Sequence, residues 1–453
     1  MNIKTNIITI SLLALSLIAR AQEVSRTEFS TYSLRKDAAS RTHSQGDNYI
    51  EFAPSLMLNG ELLEAAEQSF SMPQSWVDTS IYLHLECVGS GYTLFINGRQ
   101  VVVCDDSFTP RDYDISQFVR VGDNVITLVT HTSNYSMLEE SLVHAKRKPF
   151  EGSYIFTQNK LKILDYSLSL TQHTEGQHGQ LFIDVIVENR FNFEETIDVG
   201  FDIYAPDGKL LDFSSTQVAV AGNSIDTIRF APHLYGAEKQ RWNPSAQKTM
   251  WVGGRSVVRY TDQPLYSVML FTKRNRVNSD YIPFEVGFIL PEYSDGTLSS
   301  FETQIDLRST PYRAVGGAEQ SEKELRELKQ QGFNTIIPDY PQPLWFYYLC
   351  DKLGLYVIDQ AAISAPTAAD QRAVGGTPSN NPELVSQYLD RVQSMYFRTR
   401  NFSCVVGYSL GHDSGNGYNM YKAYQWLKGV AGERPVIYSG AKEEWNSDPL
   451  KTK

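Results

Sequence analysis

The order of apolar and polar positions changes character along the chain. Up to about residue 155 the period is two. Tyr82-Leu83-His84-Leu85-Glu86-Cys87 alternates, and Gly91-Tyr92-Thr93-Leu94-Phe95-Ile96 runs into Asn97-Gly98, a strong signal for a tight hairpin. Val101-Val102-Val103-Cys104 supplies the return strand. Asp112-Tyr113-Asp114-Ile115 and Val125-Ile126-Thr127-Leu128-Val129 continue the pattern, with a turn through Gly122-Asp123-Asn124. A second β segment follows, from about 160 to 290. Lys162 to Leu168 and Leu181 to Val187 read as strands, and Tyr204-Ala205-Pro206-Asp207-Gly208-Lys209 as a turn in which proline presets φ and glycine supplies positive φ.

From about 291 helical spacing appears between short apolar runs. Ser321-Glu322-Lys323-Glu324 reads as a capping box opening a helix through Gln331. Phe333 to Ile337 reads as a strand, Pro343 to Leu353 as a helix, and Leu355 to Asp359 as a strand. Asn381-Pro382 predicts an N-cap followed by proline at the first helical position, with Leu384, Val385, Tyr388, Val392 and Met395 along one face. Cys404 to Leu410 is a strand, Tyr418 to Val430 a helix and Pro435 to Tyr438 a strand. Strands alternating with helices make βαβ units and a parallel sheet.

The N-terminus changes the expected location. Lys4, the apolar run Ile7 to Ile18 and Ala19-Arg20-Ala21 form a signal-peptide pattern, cut after Ala21. No segment reaches the roughly 18 apolar residues of a spanning helix. The expectation is a periplasmic or secreted chain without a membrane span, divided into residues 1–21, 22–155, 156–290 and 291–453. Its 41 Lys and Arg against 52 Asp and Glu leave a net charge of -11, which argues against nucleic acid as a partner. Export permits disulfides. Cys87 and Cys104 lie on consecutive predicted strands and can pair, while Cys350 and Cys404 read as buried thiols.

Several segments carry chemistry. Val405-Val406-Gly407-Tyr408-Ser409-Leu410-Gly411-His412-Asp413-Ser414-Gly415 resembles the strand-end segment bearing the acid/base glutamate of glycoside hydrolase family 2, the β-galactosidase family. The family reads Ser-Leu-Gly-Asn-Glu-Ser-Gly there; His412-Asp413 replaces Asn-Glu. Tyr348 to Ala362 and Asn334 to Pro341 resemble two further barrel motifs of the family. Family polar residues are replaced there by Ile337, Asp339, Gln360 and Ala362. The hairpin around Asn97-Gly98 resembles its N-terminal domain, and Phe284-Glu285-Val286-Gly287-Phe288 its immunoglobulin-like domain.

The resemblance implies a jelly-roll β-sandwich, an immunoglobulin-like β-sandwich and an incomplete (β/α)8 TIM barrel of about five strands. It implies Asp413 at the acid/base position, with His412, Asp339 and Tyr340 as substrate-binding candidates. A retaining glycosidase needs two carboxylates. In the family the nucleophile lies on a strand later than the one matched by Arg434 to Gly440, and the sequence ends at Lys453. Glu443 and Glu444 fall in a loop and read as solvated. No cofactor is expected. Asp339, His412 and Asp413 sit on strand ends where a metal site can form, yet no ligand spacing demands one. The expectation is a catalytically inactive relative that binds carbohydrate or serves as an envelope assembly subunit, with a protein partner or self-association covering the open sheet edge near Pro435 to Tyr438. The alternative is an active β-galactosidase-like hydrolase completed by another chain.

Overall fold

The computed structural model describes residues 26–43, 48–54, 57–58, 61–62, 64–131, 135–142, 151–173, 175–253, 255–274, 277–368 and 376–451. The expected signal peptide lies outside the described residues. No helix among them is long and apolar enough to cross a membrane.

Two four-stranded antiparallel sheets form the first sandwich. One orders Tyr49–Glu51, Tyr154–Gln158, Ser80–Leu85 and Arg111–Asp114; the other orders Ala65–Met72, Gly122–His131, Gly91–Ile96 and Arg99–Cys104. The hairpin turn is where the sequence puts it. Asn97 and Gly98 have φ of 51° and 76°, the left-handed pair that matches the twist of the flanking strands. The Asn97 amide also donates to the Phe118 carbonyl at 3.0 Å, tying the turn to a neighbouring loop. Ser80–Leu85 departs from expectation in one respect: all six residues are buried. Ile81, Leu83 and Leu85 enter the sandwich core, while His84 on the other face is covered by charged groups from elsewhere in the chain.

The second sandwich packs Leu161–Gln172, Gly179–Asn189 and Ser224–Phe230 against Leu210–Val220, Glu195–Tyr204, Leu265–Arg274 and Val277–Gly287. Leu181, Ile183, Val185 and Val187 point inward at period two and meet Ile197, Val199, Phe201 and Ile203 in one cluster. At Gly287 an added Cβ would lie 2.6 Å from the Trp242 ring, so only glycine fits where this sandwich meets the next domain.

The third domain is a partial TIM barrel. Five parallel strands stand in sequential order: β1 (Ser309–Tyr312), β2 (Thr335–Pro338), β3 (Tyr356–Gln360), β4 (Val405–Ser409) and β5 (Val436–Ile437). Between them run α1 (Ala318–Gln330), α2 (Leu344–Leu353), α3 (Val385–Thr399) and α4 (Tyr418–Val430). Asn381 does cap the turn leading into α3, its side chain accepting from the Glu383 amide at 3.1 Å.

One expectation is corrected, and the structure bears on two further readings. The capping box is not formed: α1 starts at Ala318 after Gly317, and Glu324 is engaged instead by the Tyr312 hydroxyl at 2.8 Å. Cys87 and Cys104 form no disulfide, because they enter different apolar clusters. Cys87 packs with Phe108 and Tyr340, whereas Cys104 lies in the first sandwich core. The β5 edge is also not open. The Val436 amide donates to the Asp448 carboxylate at 2.7 Å, the Asp448 amide returns a bond to the Val436 carbonyl at 2.8 Å, and the Tyr438 amide donates to the Ser447 hydroxyl at 2.9 Å. The chain's own residues 447–448 bond to this edge.

Helix α3 holds the three domains together. Arg391 donates to the Asp105 carbonyl at 2.8 Å and to Glu139 at 2.9 Å, both partners of the ion pair being fully buried. Just past α3, Arg400 pairs with Asp165 at 2.6 Å, and the Asn401 side chain accepts from the Leu168 amide of the second sandwich at 3.0 Å.

Candidate active site

In a barrel of this kind chemistry belongs to the C-terminal ends of the strands. The loop after β4 is firmly built. Gly411 has φ of 139°, and an added Cβ would lie 2.6 Å from the Ile363 carbonyl oxygen. The His412 amide donates to that same oxygen at 2.7 Å. Ser414 accepts from the Ala365 amide at 2.8 Å, and its own amide donates to the Tyr438 hydroxyl at 3.2 Å. Tyr438 in turn donates to the Gly415 carbonyl. Asn416 exchanges amide bonds with Asn446 at 2.9 and 2.8 Å. His412 and Asp413 are the exposed residues of this braced turn. Burial, with the Asp413 charge adding to it, raises the Tyr438 phenol well above its ordinary range, so Tyr438 stays a neutral donor.

The neighbouring strand ends are arranged differently. Arg313, just past β1, places Nε at 2.9 Å and Nη2 at 2.6 Å from one oxygen of Asp339. Gln360 is buried and spent within the barrel. Its amide donates to the Asp339 carbonyl at 3.2 Å, and its side-chain oxygen accepts from the Ser409 hydroxyl at 3.0 Å. Tyr340 is 0% exposed. It packs with Phe108, Cys87, Leu142 and Ala362, its ring centroid 4.6 Å from that of Phe108. The first sandwich therefore covers the barrel mouth at Tyr340 and Ala362, and the Tyr340 ring serves the domain interface instead of facing a ligand. Glu444, expected to be solvated, accepts from Tyr421 at 2.7 Å and from Asn416 at 3.1 Å.

Of the residues singled out from sequence, the structure thus leaves His412, Asp413 and Asp339 at strand ends, the last paired with Arg313. Arg313 escaped the sequence reading because Ser309-Thr310-Pro311-Tyr312, the strand before it, has neither apolar alternation nor an apolar run. Asp359, the strand residue before Gln360, faces the helices. It accepts from Tyr347 at 2.8 Å and Thr399 at 2.7 Å, and burial pushes its carboxyl up to about 6.

A separate cluster tests for a metal. Glu28, His84 and Glu86 bring three ligand-type atoms within 4.8 Å of one another, all buried. Arg26 pairs with Asp112 at 2.9 Å, His84 meets Asp112 at 2.8 Å, and Arg398 pairs with Glu28. Burial disfavours charge on His84, but the bonds to Asp112 and Glu86 and the charge of Glu28 outweigh it and raise its pKa to about 10. Three cations already balance three carboxylates, so this set does not fit a metal ion.

Comparison with known proteins agrees with this geometry. The TIM barrel domain of glycosyl hydrolases family 2 matches residues 313–451, and the sugar binding domain of the same family matches residues 46–161. The chain belongs to glycoside hydrolase family 2. A β-galactosidase of Priestia megaterium is 26% identical over 393 residues, covering 82% of this chain and 36% of the relative. One from Psychromonas ingrahamii is 27% identical over 386 residues, covering 82% and 35%. The chain therefore spans about a third of the length of these relatives. Among solved structures of the family fold, Bacteroides uniformis β-glucuronidase 2 superposes with a TM-score of 0.67 at 15% identity, over 83% of this chain and 46% of that one. A Bacteroides fragilis protein described as a putative beta-galactosidase gives 0.64 at 13% identity, over 84% and 56%.

Proposed function

We propose that this family 2 member is a catalytically inactive carbohydrate-binding protein of the cell envelope. The loop at residues 411–416 carries the reading. Where the family motif has Asn-Glu, this chain presents His412-Asp413 on a turn that is hydrogen-bonded at Ile363, Ala365, Tyr438 and Asn446. A carboxyl one methylene shorter than glutamate sits back by roughly 1 Å, a misplacement that costs about a hundredfold in rate. The hydrogen bonds that brace the loop hold the carboxyl at that set-back position. One oxygen of the Asp339 carboxylate is engaged by Arg313. What remains at the strand ends, an exposed imidazole and carboxylate and a half-buried guanidinium–carboxylate pair, suits hydrogen bonding to sugar hydroxyls. The β5 edge being capped by Ser447 and Asp448, carbohydrate binding is favoured over an assembly role.

Aryl β-galactosides and β-glucuronides offered to the purified chain are expected to show no turnover, while galactose-terminated oligosaccharides bind and His412→Ala weakens that binding. Turnover that disappears in Asp413→Asn overturns the inactive reading. It would support the second one, an active β-galactosidase-like hydrolase, which the names of the relatives and the exposure of Asp413 favour. Export, read from Ile7 to Ala21, belongs to the proposal. Cell fractionation should recover a chain beginning at Gln22 outside the cytoplasm.

A further inference from the structure

Residues 247–260 carry three cations, Lys248, Arg255 and Arg259, and no Asp or Glu, in a chain whose net charge is -11. They form a hairpin of Gln247–Val252 and Arg255–Tyr260, a sheet of these two strands apart from the sandwich sheets. Its base is fixed. The Thr261 amide donates to the Ala246 carbonyl at 3.1 Å, the Gln263 amide donates to the Lys352 carbonyl at 2.7 Å, and Asp262 pairs with Arg326 at 2.9 Å. Lys248 lies directly opposite Arg259, Met250 opposite Val257 and Val252 opposite Arg255. Side chains alternate along a strand, and cross-strand partners share a face. Lys248, Met250, Arg255 and Arg259 therefore lie on one face, and all four are exposed.

This face works against the hairpin that carries it. Like charges directly opposite destabilise a sheet, and a two-stranded hairpin is marginal even without that cost. Among the described residues no carboxylate pairs with Lys248, Arg255 or Arg259. A local rule broken without compensation is characteristic of functional sites. Arg255 stands roughly 13 Å from Arg259 along the strand. At the hairpin base the face runs into a cavity of about 870 Å3, lined by Arg259, Tyr260, Arg326 and Lys329 and by no acidic residue. That volume falls within the roughly 300–1,000 Å3 of ligand sites. Arg326 is shared with Asp262 and Glu322, and Lys329 donates to the Gly354 carbonyl at 3.0 Å, its ammonium 4.8 Å from the Tyr260 ring centroid. Arg259 is the cation common to the face and the cavity.

We propose that this hairpin binds an acidic oligosaccharide, a chain bearing repeated carboxylate or sulfate groups, with one sugar seated in the cavity. A guanidinium presents paired donors that match an oxyanion. Cations spread along one face favour a ligand with repeated charge over a single ion. The cavity at the base favours a chain that can enter it over the flat surface of a bilayer. Charges are screened beyond about 8 Å at physiological ionic strength, so the acidity of the rest of the molecule does not cancel this face. The site adjoins the C-terminal ends of α1 and α2, the side of the barrel opposite His412 and Asp413. It is a second site, beyond the carbohydrate reading of the strand ends and independent of it.

Calorimetric titration of the purified chain with an oligogalacturonide and with a chondroitin sulfate oligosaccharide is expected to show binding of at least one, weakened by salt. Binding of the first alone assigns the site to carboxylates, and of the second alone to sulfates. The fully methyl-esterified oligogalacturonide should not bind. Lys248→Gln, Arg255→Gln and Arg259→Gln should each weaken binding about two- to fivefold, the range of an exposed ion pair, and the triple change at least about tenfold. Lys248→Gln should leave the melting temperature equal or higher, because it removes a like-charge pair. His412→Ala should leave this binding unchanged, which separates it from the strand-end site. Binding of neither acidic ligand overturns the proposal, and so does binding that survives the triple change. Light scattering that shows the parent dimeric and the triple variant monomeric, without oligosaccharide binding, would assign the face to a second copy of the chain instead. Phosphatidylglycerol vesicles that capture the parent and not the triple variant, again without oligosaccharide binding, would assign it to a lipid surface.

Discussion

Gly411 shows how a single residue can be essential to a site without touching a ligand. Its φ of 139° is strained for any side chain, and a Cβ would press on Ile363. Gly411→Ala is expected to lower stability by about 1–3 kcal/mol, read as a shift of the urea midpoint, and to perturb whatever sugar binding His412 and Asp413 support. An unchanged midpoint would show that the loop relaxes freely. The glycine is legible as part of the Ser-Leu-Gly motif. Its reason is not, because Ile363 belongs to the loop after β3 and meets Gly411 only in the folded barrel. Tyr340 teaches the opposite lesson. Its place beside Asp339 at a strand end suggests contact with a ligand, but Phe108 from the first sandwich covers it.

At the scale of elements, α3 was readable from both its cap and its apolar stripe. Asn381→Ala should cost about 1 kcal/mol, measured by thermal melting. The stripe through Tyr388, Val392 and Met395 is buried as spacing predicts. Arg391 and Arg398, which follow Tyr388 and Met395 at i,i+3 and so border that stripe, are buried too, because the first sandwich and the N-terminal segment pack over them. Burial pushes the Glu139 carboxyl up to about 8 even beside Arg391, so Arg391→Met removes hydrogen bonds from a largely protonated buried acid. The expected loss is about 1–3 kcal/mol, in chemical unfolding monitored by fluorescence. A loss under 1 kcal/mol would mean that the pair contributes no more than a surface one. The capping box was missed for a local reason: the helix already begins at Ala318, so the Ser321 amide bonds to the Gly317 carbonyl and Ser321 lies inside the helix instead of capping it.

For the whole molecule, the buried titratable groups set a direction of pH dependence. Burial pushes Asp359 up to about 6 and Asp351 up to about 7, and the carboxylates around His84 raise it to about 10. Each of these groups has a higher pKa folded than unfolded, so the folded state holds more protons and stability falls as pH rises through each folded value. The two aspartates contribute a decline between about pH 4 and 7, and His84 a further one between about 6.5 and 10. Asp106, lowered to about 2 where the charge of Arg111 overcomes its burial, acts oppositely and only in acid. The melting temperature should therefore fall from pH 5.5 to 8.5, and Asp351→Asn should flatten the lower part of that fall. A melting temperature that rises over this range would contradict the protonated state of the buried aspartates.

The sequence by itself determined the elements of this protein: two β-sandwiches, a run of βαβ units, the Asn97-Gly98 hairpin, the helix after Asn381 and the family to which the strand-end motif belongs. Those features rest on backbone preference and periodicity, which act between residues close in the chain. Only the tertiary structure decided that the β5 edge is capped by Ser447 and Asp448, that Arg313 engages Asp339, that Gln360 is spent inside the barrel and that His84 sits in a balanced charge cluster. Those outcomes depend on which side chains from distant segments arrive at the same place, and on how burial there changes the energy of a charge.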